Sequence, residues 1–326
     1  MTTLTLDLSG SRRRRRRETL VRVILWSAAA TTVLITAAIV WTLAGEAISF
    51  LQNIQLSSLA SDGWYPRRGQ YGIGTLLFGS VATVAVGMLV AVPVGLGTAI
   101  YLAEYAPRRV RAILKPMVEI LAGIPSVVVG FFAINFISPE LVQRVLPGSS
   151  TFNLLAAGLG IGVLVTPLIA TVAEDALRAV PDSLREASAG IGARRSATIR
   201  RVVLPASTSG IVASAILGMS RAIGETMVVL LAAGGSGTAS FPKALTSDYS
   251  GSFTDRLNDL FGASGQTITA AMGSLASGSD NLGVASGSDA GQAFNSLFFL
   301  GAVLFVVTMV LNLAANALIR KVRNVY

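Results

Sequence analysis

Arg221 and Glu225 stand four residues apart inside a long apolar run, where one charge near mid-bilayer costs about 2.5–3.5 kcal/mol even on the insertion scale. At that spacing they would share one face of a continuous helix. Two readings fit. One is a structural ion pair that satisfies itself and fixes the packing of the segment; the other is a face lining a water-filled path for an anion. An oxyanion suits the second, because the planar guanidinium stays charged and offers two parallel hydrogen bonds. Glu225 would then hold Arg221 between anions, so that binding exchanges one partner for another. Glu119, near the inner end of a different run, reads as a structural or gating residue.

Little other chemistry is open to the chain. It has no His and no Cys, which removes disulfides, Zn or haem sites built on those ligands, and Ser–His or Cys–His nucleophiles. No Gly-x4-Gly-Lys-Ser/Thr loop occurs to cradle ATP phosphates. Gly158, Gly160 and Gly162 look only superficially like a dinucleotide fingerprint; inside an apolar run they serve close helix packing.

The elements that must position these residues are membrane spans. Of 326 residues 52% are hydrophobic and 13% charged. With Gly counted and Tyr left out the apolar share is about 60%, against ~45–50% in a soluble domain. Six runs are long enough for a hydrocarbon core of ~30 Å: 23–43, 73–103, 116–137, 152–173, 202–233 and 295–319. The second and fifth exceed a straight crossing and predict a tilt, an interfacial part or a bend, with Pro93 a candidate kink. The first run lacks a small-residue cleavage site and reads as a retained span, not a signal peptide.

Lys and Arg set the orientation, since positive residues stay on the cytoplasmic side. With the N-terminus inside, twenty of the 26 basic residues are cytoplasmic, and both termini lie there. The net charge of +9 is mostly this device. The arginines at 12–17 read as a topogenic signal, although such an arm would also dock on anionic lipids or nucleic-acid phosphates. Outside, Trp64-Tyr65-Pro66 reads as an interfacial aromatic anchor. Residues 234–292 are rich in Gly, Ser and Thr and repeat Ala-Ser-Gly-Ser-Asp at 276–280 and 285–289, which predicts a flexible external loop. Its apolar island 257–261 would lie on the membrane surface or on a partner.

The inner loop 174–205 is long and charged. Asp182 or Ser183 after Pro181 would cap a short helix with Leu184, Ala187 and Ile191 on one face. A break at Gly190/Gly192 and a second helix from Arg194, stopping at Pro205, would complete a helical knob shaped for another protein's groove. Within this loop Glu186-Ala187-Ser188, three residues, Gly192, nine residues, Val202, one residue and Leu204-Pro205 resemble the EAA loop of bacterial ABC importer permeases. That pattern is Glu-Ala-Ala-x3-Gly-x9-Ile-x-Leu-Pro, so Ser188 and Val202 are conservative departures.

Further stretches narrow the resemblance. Residues 119–130 and 218–227 look like signatures of the phosphate-specific permeases. Trp64-Tyr65-Pro66 before Tyr71-Gly72, and Val92-Pro93 followed by 99–107, are closer to the PstC type than to the PstA type. The resemblance spans nearly all of 21–319, and the Arg run and the external loop look like additions. It implies an all-α membrane protein of the inner membrane: six transmembrane helices in a type I ABC importer permease fold, both termini cytoplasmic. A basic arm (1–22), a permease domain (23–319) and a tail (320–326) follow. It also implies ATPase coupling through Glu186, Ala187, Gly192, Leu204 and Pro205, and translocation past Arg221 and Glu225. The implied partners are a PstA-like permease, a dimer of PstB-like subunits binding ATP and Mg, a PstS-like phosphate-binding protein, inorganic phosphate and membrane lipids, with no nucleic acid. The chain itself would be non-catalytic and carry no cofactor. A permease for sulfate or molybdate is the nearest alternative. A stand-alone secondary transporter would call for inverted repeats and interrupted helices, which the sequence does not display, and a membrane enzyme lacks the residues for its chemistry.

Overall fold

The computed structural model describes residues 12–234, 241–245, 249–278 and 288–322. Its helices are α1 (Arg12–Asn53), α2 (Ile73–Tyr105), α3 (Arg108–Ala122), α4 (Ser126–Val145), α5 (Leu154–Arg178), α6 (Asp182–Gly190), α7 (Arg195–Ile223), α8 (Met227–Ala232), α9 (Phe253–Leu257), α10 (Ile268–Ala276) and α11 (Ser288–Val322). Six of them, α1, α2, α4, α5, α7 and α11, are long and apolar enough to cross a membrane. α1 begins within the arginine run, so residues 12–22 extend the first span instead of standing apart from it.

α5 is the central helix because its small residues let neighbours close on every side. A Cβ on Gly158 would fall 2.7 Å from Val86 Cβ, and one on Gly162 would fall 3.0 Å from the Gly87 carbonyl oxygen. This is the close backbone approach that small residues permit between membrane helices. Across the other faces of α5, Ile161, Val165 and Ile169 of α5 are buried in one cluster with Ala133 and Val129 of α4 and Ala222 of α7. Gly158→Leu is therefore expected to push α2 off α5, at about 1–3 kcal/mol or more of overpacking. A sharp fall in the yield of monodisperse protein in detergent would register it.

Three boundaries differ from the sequence expectations. The run at 116–137 is not one span: Gly123-Ile124-Pro125 breaks it, because a residue before proline is steered away from helix. α3 is left as a separate helix with no buried residue, and α4 makes the crossing. Glu119 thus sits exposed on α3 and not at the inner end of a span. The second helix of the inner loop does not stop at Pro205. The turn Ile199–Val203 is π-helical, and the wider turn together with Pro205 in the first turn of the regular stretch that begins at Leu204 spares the helix a proline clash.

The external segment is the third. Residues 249–278 are folded, not flexible. Ser252 and Asp255 form a reciprocal capping box at α9. α10 buries Ile268, Ala271 and Leu275 against Leu76, Phe299 and Leu300. Small residues that look like linker composition are here what lets a short helix insert between α2, α8 and α11. Residues 257–261 are half-buried, and half of the Ala-Ser-Gly-Ser-Asp repeat, 279–280 and 285–287, lies outside the described residues. Trp64 likewise is no interfacial anchor. It is fully buried in a two-stranded hairpin, β1 (Trp64–Tyr65) and β2 (Gln70–Tyr71), with Trp64 paired to Tyr71. Its ring meets Tyr71 edge-on at 5.6 Å, and Tyr71 meets Phe50 at 4.9 Å.

Candidate functional site

Arg221 and Glu225 are not neighbours on one helix face. α7 ends at Ile223 with Gly224 as its C-cap, and Glu225 lies in the break before α8. Its Oε1 accepts hydrogen bonds from the backbone N–H groups of Met227 at 3.2 Å and Val228 at 3.5 Å. The carboxylate therefore serves the free N–H groups that open α8. Arg221 occupies the last turn of α7, where a cation suits the helix dipole. It is exposed, and among the described residues it forms no ion pair. The break is held from α10: Thr269 Oγ1 donates to the Glu225 carbonyl oxygen at 2.8 Å and lies 3.0 Å from Thr267 Oγ1. The arrangement presents a guanidinium, already positive and uncommitted, on an open face of a membrane span. It could receive an oxyanion from outside this chain's core.

The inner loop forms the expected knob, with its faces assigned differently. Leu184 and Ser188 turn inward, while Glu186, Ala187, Ile191 and Gly192 are exposed, Ile191 to 86%. Ser188, the departure from alanine, is satisfied by the Thr198 hydroxyl at 2.9 Å, both residues being buried. Asp182 opens α6 in its first turn, and the N-cap is Pro181. Gly192 has φ +78°, a left-handed conformation, with nothing within 4 Å of a Cβ placed there. Glycine is needed for the turn itself. Leu204 packs against Ala173, Leu177 and Val203, and Pro205 is half-buried beside it.

Two groups that the motif did not single out fasten the knob to the spans. Arg185 Nη2 lies 2.9 Å from Glu104 Oε1 at the end of α2 and donates to the Leu177 carbonyl oxygen at 2.9 Å. Its Nη1 donates to the Val180 carbonyl oxygen and, at 3.2 Å, to Asp182 Oδ1. Glu104 is 8% exposed. Beside them, fully buried Glu174 on α5 lies 3.1 Å from Lys115 Nζ of α3 and 3.6 Å from Arg178 Nη1. Burial would lower the Lys115 ammonium, but its hydrogen bond to Asp175 and the negative charge of Asp175 and Glu174 outweigh that and hold it above the ordinary lysine value. Glu104 and Arg185 are 81 positions apart, so the only sequence signal was an arginine adjoining Glu186.

The profile of the family described as "Binding-protein-dependent transport system inner membrane component" matches residues 91–324, from within α2 through the end of α11. The chain belongs to this family. The permease is 37% identical over 190 residues to the probable ABC transporter permease protein YqgH of Bacillus subtilis, covering 57% of this chain and 61% of the relative. It is 30% identical to the phosphate transport system permease protein PstC of Xylella fastidiosa over 318 aligned positions, 88% of each chain. Among solved structures, a chain of a bacterial ABC transporter involved in the import of alginate, an acidic polysaccharide, superposes with a TM-score of 0.61 over 95% of this permease and 100% of that chain. At 16% identity that likeness carries the fold alone. The permease is thus a multi-pass inner-membrane component of an ABC importer, with six membrane helices among the described residues in the type I fold.

Proposed function

We propose that this permease forms one half of the membrane channel of an ATP-driven phosphate importer. The other half would be a PstA-like permease, with a dimer of PstB-like subunits holding ATP and Mg and a PstS-like protein delivering phosphate outside. The observation that carries the reading is Arg221, a guanidinium exposed on a membrane span with no carboxylate committed to it among the described residues. The relatives named for phosphate transport support the substrate. In this reading both termini lie in the cytoplasm, where α6 and Gly192 would meet the ATPase. The chain itself does no catalysis: closure of the nucleotide-binding dimer moves the knob, and the spans tilt between inward- and outward-facing states.

The test is uptake of labelled phosphate by proteoliposomes holding the purified complex. Expected are ATP dependence, a second permease chain and a Walker-motif subunit in the complex, and no competition by excess sulfate or molybdate. Equal competition by those ions would assign another oxyanion. In the same assay Gly192→Val is expected to lower uptake by about tenfold, since a side chain in the left-handed region costs about 1–2 kcal/mol. The amount of folded complex should hold, because nothing packs on that position.

A further inference from the structure

Of the carboxamides on α11, Asn312 and Asn316 are exposed and one turn apart within the span Gln292–Ala317. An amide left unpaired in hydrocarbon costs roughly 2–7 kcal/mol, so this face does not turn to lipid. Its partner within the chain is informative. Ser220 Oγ donates to Asn312 Oδ1 at 2.8 Å, and Ser220 is the residue before Arg221. With the oxygen so engaged, what the amide still has to offer is its N–H donors. Its Nδ2 donates to no partner among the described residues.

Resting on the reading of Arg221 as a translocation residue, we propose that Asn312 is a second anion contact, its Nδ2–H group donating to the oxyanion held by Arg221, with Asn316 extending the same face by one turn. The chemistry suits a path better than a trap. A site that must release its ion needs binding that is favourable but weak. A neutral amide supplies directed donors without adding a second fixed charge. It also distinguishes an oxyanion, which accepts hydrogen bonds, from a cation, which Arg221 already repels. The competing role is glue: asparagine side chains bridge membrane helices, within a chain or between subunits.

The experiment uses the intact complex in proteoliposomes and labelled inorganic phosphate. Asn312→Asp, which removes the donors and adds a charge of the wrong sign, is expected to lower uptake by about twentyfold. Asn312→Leu should lower it by about tenfold. Ser220→Ala, which deletes the interhelical bond and leaves the donors, should stay within about twofold, and all three variants should retain the second permease on purification. Equal losses in Ser220→Ala and Asn312→Leu, or loss of the second permease, would make Asn312 glue and overturn the proposal, as would normal uptake by Asn312→Asp. Arg221→Ala is run beside them. If that variant transports normally the underlying reading fails, whereas its failure together with a normal Asn312→Asp removes the amide contact alone.

Discussion

Arg221→Ala is expected to leave the permease in the membrane at its normal level and to cut phosphate uptake by about 100-fold or more. Two charge-assisted hydrogen bonds at about 1.5–3 kcal/mol each are lost with the guanidinium. The fold should hold because the side chain is exposed and forms no ion pair among the described residues. Arg221→Lys should fall between, keeping the charge and losing the planar fork. Glu225→Gln separates the two roles proposed for the carboxylate. The amide oxygen can still accept from Met227 and Val228, so α8 should persist while any exchange of Glu225 onto Arg221 weakens. The measurement is initial uptake rate divided by immunoblotted membrane protein, and a normal rate in Arg221→Ala would end the assignment.

Arg185→Ala should uncouple the transporter. It strips Glu104 of its ion pair and leaves a buried carboxylate uncompensated, a loss of about 3–5 kcal/mol. It also frees the Leu177 and Val180 carbonyl oxygens that hold α6 under α5. The spans pack elsewhere through α5 and its glycines, so assembly should survive. ATP hydrolysis should continue while phosphate moved per ATP falls by about tenfold or more. Combining Arg185→Met with Glu104→Leu should restore part of the ratio, because no lone buried charge remains; Arg185→Lys should restore less than wild type, lacking the fork that reaches two elements at once. Unchanged phosphate-to-ATP stoichiometry in Arg185→Ala would mean that this contact transmits nothing.

The parts of the molecule that were legible in the sequence share a property: the signal lies within one segment. Apolar run length marked the six spans, and the spacing from Glu186 to Pro205 marked the knob. Gly158, Gly160 and Gly162 marked tight packing on α5. The misreadings were places where a distant segment decides. Trp64 has the composition of an interfacial anchor, yet Tyr71 and Phe50 bury it. Residues 249–278 have the composition of a linker, yet Leu76, Phe299 and Leu300 give α10 an apolar floor. At two prolines the outcome was the reverse of the sequence reading. Pro125 ended a helix because Gly123 offered a turn, whereas Pro205 was absorbed by a π-helical turn that no spacing announces.

By itself the sequence determined the solvent of this protein, its span count and the composition of its two functional segments. These follow from transfer free energies and local backbone preferences, which act residue by residue. Tertiary structure alone decided how the charges are used. The Gly224 break turns the Glu225 carboxylate to the N–H groups that open α8 and leaves Arg221 open, and the approach of α2 to α6 gives Arg185 a buried carboxylate 81 positions away. The pairing of Ser220 with Asn312 spans 92 positions. Such contacts depend on which helices meet and at what height, and that is fixed by packing across the whole bundle.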